Sequence, residues 1–165
     1  MSEPRLTRCL ILACGNTLRG DDGVGPWLAE WAESRFRNEP SIRVISRQQW
    51  TPELSEDLAH ASAAIFVDCS TASLPGSVDL IPVAPEESRA EPGSHHLGAA
   101  ELMALGEGLF GSAPREALLL TVGAGSTGLG ETFSEEVKAA LPRAAALLEE
   151  TVRRLVAGAE SSLQR

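Results

Sequence analysis

Cys9-Leu10-Ile11-Leu12-Ala13-Cys14 runs without a break into Gly15-Asn16-Thr17-Leu18-Arg19-Gly20-Asp21-Asp22-Gly23-Val24-Gly25. The first part is a short apolar run without polar alternation, the pattern of a strand buried on both faces of a parallel sheet. The second is a glycine-rich turn, and after it Val24, Trp27, Leu28 and Trp31 repeat at i, i+3, i+4 and i+7. That spacing predicts a helix over roughly 23–37. A strand, a tight turn and a helix N-terminus in this order open an α/β fold.

The same grammar recurs along the chain. Ala63–Val67 and Ala117–Val122 are further buried runs, and Ile42–Ile45 and Val78–Val83 are weaker ones. Pro82 cannot donate to a ladder, which confines the last of these to an edge or bulge. Helices are expected after Thr51-Pro52-Glu53, over about 97–105, and after Ser134, where Val137, Leu141, Ala144, Leu148, Val152 and Leu155 form one stripe. The expected architecture is a three-layer α/β/α sandwich, a mostly parallel twisted sheet of about five strands with helices on both faces. Residues 1–157 are read as a single domain and 158–165 as a frayed tail.

The chain has 165 residues, enough for a core without disulfides. Its 14 basic and 23 acidic side chains leave a net charge of −9, which repels phosphate backbones and anionic lipid, so neither nucleic acid nor a membrane surface is an expected partner. No apolar run approaches the roughly 18 residues of a membrane span. Three cysteines without CxxC spacing, and no basic-then-apolar leader, suggest reduced thiols and a cytoplasmic location.

Three features carry chemistry. Gly15 and Gly20 have the spacing of a phosphate-binding loop, but Asp21-Asp22 stand where that loop needs Lys and Ser or Thr, and carboxylates repel phosphate. One of the pair reads as a helix cap; two at once exceed what capping needs. Asp68 follows Ile65-Phe66-Val67 and, taken alone, reads as an Asx turn closing the strand. In a sheet of order 2-1-3 the carboxyl ends of the first and third strands flank the switch-point crevice, where Asp22 and Asp68 would meet. His95 and His96 sit in Gly93-Ser94-His95-His96-Leu97-Gly98 at the close of an irregular stretch. One imidazole folded over the crevice would complete a mixed oxygen and nitrogen site suited to nickel, zinc, iron or manganese. His60 is explained by its place at a helix C-terminus. Cys9 and Cys14 read as small core hydrophobes, and Cys69 lacks an adjacent base.

With these residues assembled, the chain resembles the hydrogenase maturation protease family, endopeptidases that trim the C-terminal extension of nickel-iron hydrogenase large subunits. The likeness rests on Gly15–Gly25, which is similar to the signature Gly-Asn-x-Leu-x-x-Asp-Asp/Glu-Gly-x-Gly, on Phe66-Val67-Asp68 with Pro75-Gly76, and on Ser94–Gly98. The resemblance implies that Asp22, Asp68 and His95 bind nickel, with His96 adjacent as a second choice for the imidazole. It implies that nickel is recognised in the substrate precursor and is no permanent cofactor. Asp21 is then either a proton acceptor or a cap. Where many members carry Asp-Gly-Gly-Thr, this chain has Arg47-Gln48-Gln49-Trp50-Thr51-Pro52-Glu53-Leu54, a departure that bears on which subunit is recognised. The expected partner is a nickel-iron hydrogenase large-subunit precursor, and the chain is expected to act as a monomer. The competing readings are a non-catalytic metal-binding chaperone, a small nucleotide-binding enzyme and, by fold analogy alone, a spore-type protease.

Overall fold

The computed structural model describes residues 6–86 and 97–164. Five strands form one sheet in the order β2-β1-β3-β5-β4, where β1 is Thr7–Cys14, β2 Ile42–Arg47, β3 Ala61–Ser70, β4 Val78–Pro82 and β5 Glu116–Gly123. The β1–β2, β1–β3 and β3–β5 pairs are parallel, and β4 lies antiparallel to β5 at the edge, with Pro82 at its end. The switch point lies between β1 and β3, whose chains leave the sheet towards opposite sides.

The apolar runs are continuous because alternate residues serve different helical layers. Ile11, Ala13, Ile65 and Val67 pack with α1 (Val24–Arg35) and α4 (Glu135–Leu163). Leu10, Leu12, Ala64 and Phe66 pack with α2 (Leu54–Ala59) and α3 (Ala99–Phe110). The α4 stripe is buried as expected, apart from a partly covered Leu141.

Four local expectations change. The sheet-facing stripe of α1 is Val24, Leu28, Ala29 and Ala32, and Trp27 is exposed. Two alanines let the helix approach the sheet closely, which turns the bulkier indole outward. Thr51 does not cap α2: a turn carries Leu54 N–H to Thr51 O and Ser55 N–H to Pro52 O, and the helix begins at Leu54. α3 runs five residues past Leu105 and ends on Gly111, whose φ of 69° suits a left-handed cap. α4 continues past Gly158 to Leu163 in place of a frayed tail, and Glu160 on this last stretch pairs with Arg8 of β1.

Candidate functional site

The signature turn owes its shape to two close backbone approaches. A Cβ on Gly15, whose φ is 150°, would collide with the carbonyl oxygen of Asp22, and a Cβ on Gly25 with that of Cys14. The turn can therefore fold back on the end of β1, and α1 can start directly beneath it. Asn16 fastens the turn from both sides. Its Oδ1 accepts the Leu18 N–H at 2.9 Å, and its own N–H donates to Asp22 Oδ2 at 2.7 Å. A backbone donor that a phosphate loop would offer to its ligand is thus taken by the chain's own carboxylate.

The two acids of the pair separate completely. Asp21 is fully buried. Its Oδ2 accepts from Gly125 N–H (2.7 Å), Ser126 N–H (2.8 Å) and Ser134 Oγ–H (2.7 Å), and its Oδ1 from Ser134 N–H (2.7 Å). Burial alone would raise its pKa, but together these bonds outweigh that cost and hold the carboxyl below its usual range. Asp21 therefore ties the β1–α1 turn to the β5–α4 loop and to the cap of α4. Both of its oxygens are taken up by these bonds, and it is not among the residues that line the cleft holding Asp22 and Asp68.

Asp22 is half-buried and faces a cleft of about 580 Å³ at the carboxyl ends of β1 and β3. Asp68 lines the same cleft, so the topology brings together these two carboxylates, 46 positions apart in the chain. Asp68 does not close its strand, since β3 continues to Ser70 and Asp68 pairs in register with Thr121. Its Oδ1 accepts the Cys69 N–H at 2.7 Å. His95 and His96 lie outside the described residues. Among the described residues no group of three His, Cys, Asp or Glu side chains is placed to hold a metal ion.

Sequence reasoning missed several of the cleft's walls. Cys14 is more than a core hydrophobe: it borders the cleft, and its thiol hydrogen-bonds the Asp68 carboxylate. Burial first, then the Asp68 charge and that hydrogen bond, push the thiol far up. Burial together with the Asp22, Asp68 and Asp21 charges raises Cys69 to about 12, so both thiols stay protonated and neither is a nucleophile. The cleft is also lined by Gln48, Gln49 and Trp50, from the segment that departs from the family pattern, and by Arg19. The signals for Gln48, Gln49 and Trp50 were their place in the departing segment and their position immediately after β2. His60 caps α2 as expected, its Nδ1 2.8 Å from Glu56 O.

No protein-family model and no curated protein matches the chain. Solved structures do. The hydrogenase maturating endopeptidase HybD from E. coli superposes with a TM-score of 0.72 at 20% identity, over 89% of this chain and 93% of that one. The [NiFe] hydrogenase maturation protease HycI from Thermococcus kodakarensis gives 0.65 at 28% identity, over 89% and 93%. A hydrogenase 2 maturation peptidase from a Thaumarchaeota archaeon gives 0.64 at 25%, over 88% and 97%. With the Gly15–Gly25 signature folded as described, the chain shares the fold of these hydrogenase maturation proteases over nearly nine-tenths of its length and is similar to that family.

Proposed function

We propose that this protein is a nickel-recognising endopeptidase that removes the C-terminal extension from a nickel-iron hydrogenase large-subunit precursor in the cytoplasm, acting as a monomer. The observation that carries the reading is the pair Asp22 and Asp68 in one open cleft at the switch point of this family's fold. Two carboxylates are suitable donors for nickel carried by the precursor, and His95 is the third ligand in this reading. Bound nickel supplies Lewis acidity towards a carbonyl or a water.

The chain's own residues position and exclude. Asn16 N–H holds Asp22 by Oδ2, which leaves Oδ1 for the substrate, while Cys69 N–H and the Cys14 thiol hold Asp68. Proton transfer falls to one of these two acids, since Asp21 is committed to the fold. A protein substrate also suits the surroundings. Arg19, Gln48 and Gln49 line the cleft with side chains able to hydrogen-bond a peptide main chain.

The test incubates the chain with nickel-loaded and nickel-free precursor and follows the released peptide by mass spectrometry. Release is expected from the nickel-loaded form alone. Asp22→Asn and Asp68→Asn are each expected to slow it at least about 100-fold, the range of a lost acid, base or ligand. Stable complex formation without release would favour the chaperone reading. Normal cleavage by the double variant would remove both residues from the mechanism.

A further inference from the structure

Arg19 brings a cation into a cleft that holds two carboxylates. It lines that space together with Asp22 and Asp68, and it is exposed. The main chain beneath it is held firmly. Arg19 N–H donates to Asn16 O at 3.0 Å, and Arg19 O accepts from Asp22 N–H at 3.1 Å. On either side of it, Gly130 N–H donates to Leu18 O at 2.8 Å and Gly20 N–H to Gly130 O at 2.7 Å, which bridges the turn to the β5–α4 loop. The fold therefore uses the backbone of Arg19 and leaves its guanidinium over, for among the described residues no ion pair includes it. The two acids of the cleft are engaged elsewhere, Asp22 Oδ2 with Asn16 N–H and Asp68 Oδ1 with Cys69 N–H.

The chemistry of a ligand for that guanidinium follows from its neighbours. A main-chain carbonyl is served as well by the neutral amides of Gln48 and Gln49, whereas the planar fork of an arginine matches both oxygens of a carboxylate. Charge balance points the same way. Divalent nickel on Asp22 and Asp68 cancels their charges, which leaves Arg19 as the uncompensated charge on the described walls. A substrate lying over it excludes water and strengthens its pull on an anion. The chain as a whole, at −9, repels acidic segments, so a cation inside the cleft is the feature able to hold one there. We infer that Arg19 is a specificity residue whose guanidinium pairs with a carboxylate of the precursor segment lying across the cleft, either an acidic side chain or the chain end. This inference rests on the peptidase reading in that it takes the cleft to receive the precursor's C-terminal segment.

Arg19→Gln removes the charge and keeps a polar side chain on the same backbone. With nickel-loaded precursor, KM should rise about 3- to 30-fold, the span between an exposed ion pair and charge-assisted bonds covered by substrate, while kcat stays within about twofold. Arg19→Lys keeps the charge but loses the fork, and its KM should fall between the two. The partner is found from the precursor side. Each Asp or Glu of the C-terminal extension is replaced in turn by its amide, and in a separate precursor a short neutral tail displaces the chain end. One of these changes should raise the wild-type KM by the same factor and leave that of Arg19→Gln unmoved, the non-additivity of a direct pair. An amide replacement that does so identifies a side chain; the added tail identifies the chain-end carboxylate. The wild-type measurements stand however the variant folds. The inference is overturned by an unchanged KM in folded Arg19→Gln, by precursor changes that leave the wild-type KM unmoved, or by effects that simply add to that of Arg19→Gln. Cleavage by the wild type leaves the peptidase reading intact in each of those cases. Binding without peptide release sinks the peptidase reading, and the same pairs compared by precursor Kd then decide the contact. Failure to bind precursor at all overturns both.

Discussion

Asp21→Asn isolates the buried carboxylate that joins the signature turn to the far loop. The substitution preserves shape and removes charge. The best-placed amide keeps its oxygen at Oδ2, against Gly125 N–H, Ser126 N–H and Ser134 Oγ–H, and turns its NH2 towards the Ser134 N–H, which loses its acceptor. The Ser134 N–H and the amide NH2 now face each other as two donors without an acceptor, an orphaned buried donor costs about 1–3 kcal/mol, and the three remaining bonds fall from charge-assisted to neutral strength. A net loss of about 2–4 kcal/mol follows, or about 5–15 °C in Tm for a domain of this size. Urea unfolding should show the loss as a lower midpoint at unchanged m. The pH dependence has a definite sign. Folding lowers the Asp21 pKa, so its contribution is complete above the unfolded carboxyl's value of about 3.9 and disappears as pH falls through the folded value. The gap between wild type and variant should therefore be constant above about pH 5 and close at more acid pH. A variant within about 0.5 kcal/mol of wild type at pH 7, or a gap that widens in acid, would refute the account of Asp21 as the tie between the two loops.

Two further substitutions or treatments probe the same region. Gly25→Ala places a methyl against the Cys14 carbonyl and must push α1 off β1, so a loss of about 3 kcal/mol or more is expected by thermal unfolding, above the usual cost of one added methyl. Cys9 and Cys69 are each raised to about 12, so at pH 8 roughly one thiol in ten thousand is ionised. Iodoacetamide at that pH should leave both unmodified in the folded chain for hours, whereas the chain in guanidinium should take three labels by mass.

Much of the sheet was legible because the physical signal is local. Cys9–Cys14 could be read as a strand covered on both faces, and Pro82 could be assigned to an edge, since an apolar run and a missing N–H keep their meaning in any context. The faces of helices were less legible. Trp27 looked like a core residue by spacing, but the direction α1 turns depends on how closely Ala29 and Ala32 let it approach the sheet. The end of β3 was misplaced because Asp68, a residue that often ends strands, pairs onward with Thr121 under the influence of a neighbour far away in sequence.

The amino-acid sequence by itself determined the layered α/β fold, the switch-point turn and the nomination of Asp22 and Asp68, because spacing, glycine placement and charge are properties of short segments. Tertiary structure alone decided which acid of the adjacent pair serves the fold and which the cleft. Asp21 and Asp22 have the same side chain and neighbouring positions. What separates them is that Asp21 meets the donors of Gly125, Ser126 and Ser134, more than 100 residues away, while Asp22 meets Asn16 and the open cleft. The same holds for Trp50, whose edge-to-face contact with Phe66 forms only once β2 has delivered it beside that ring.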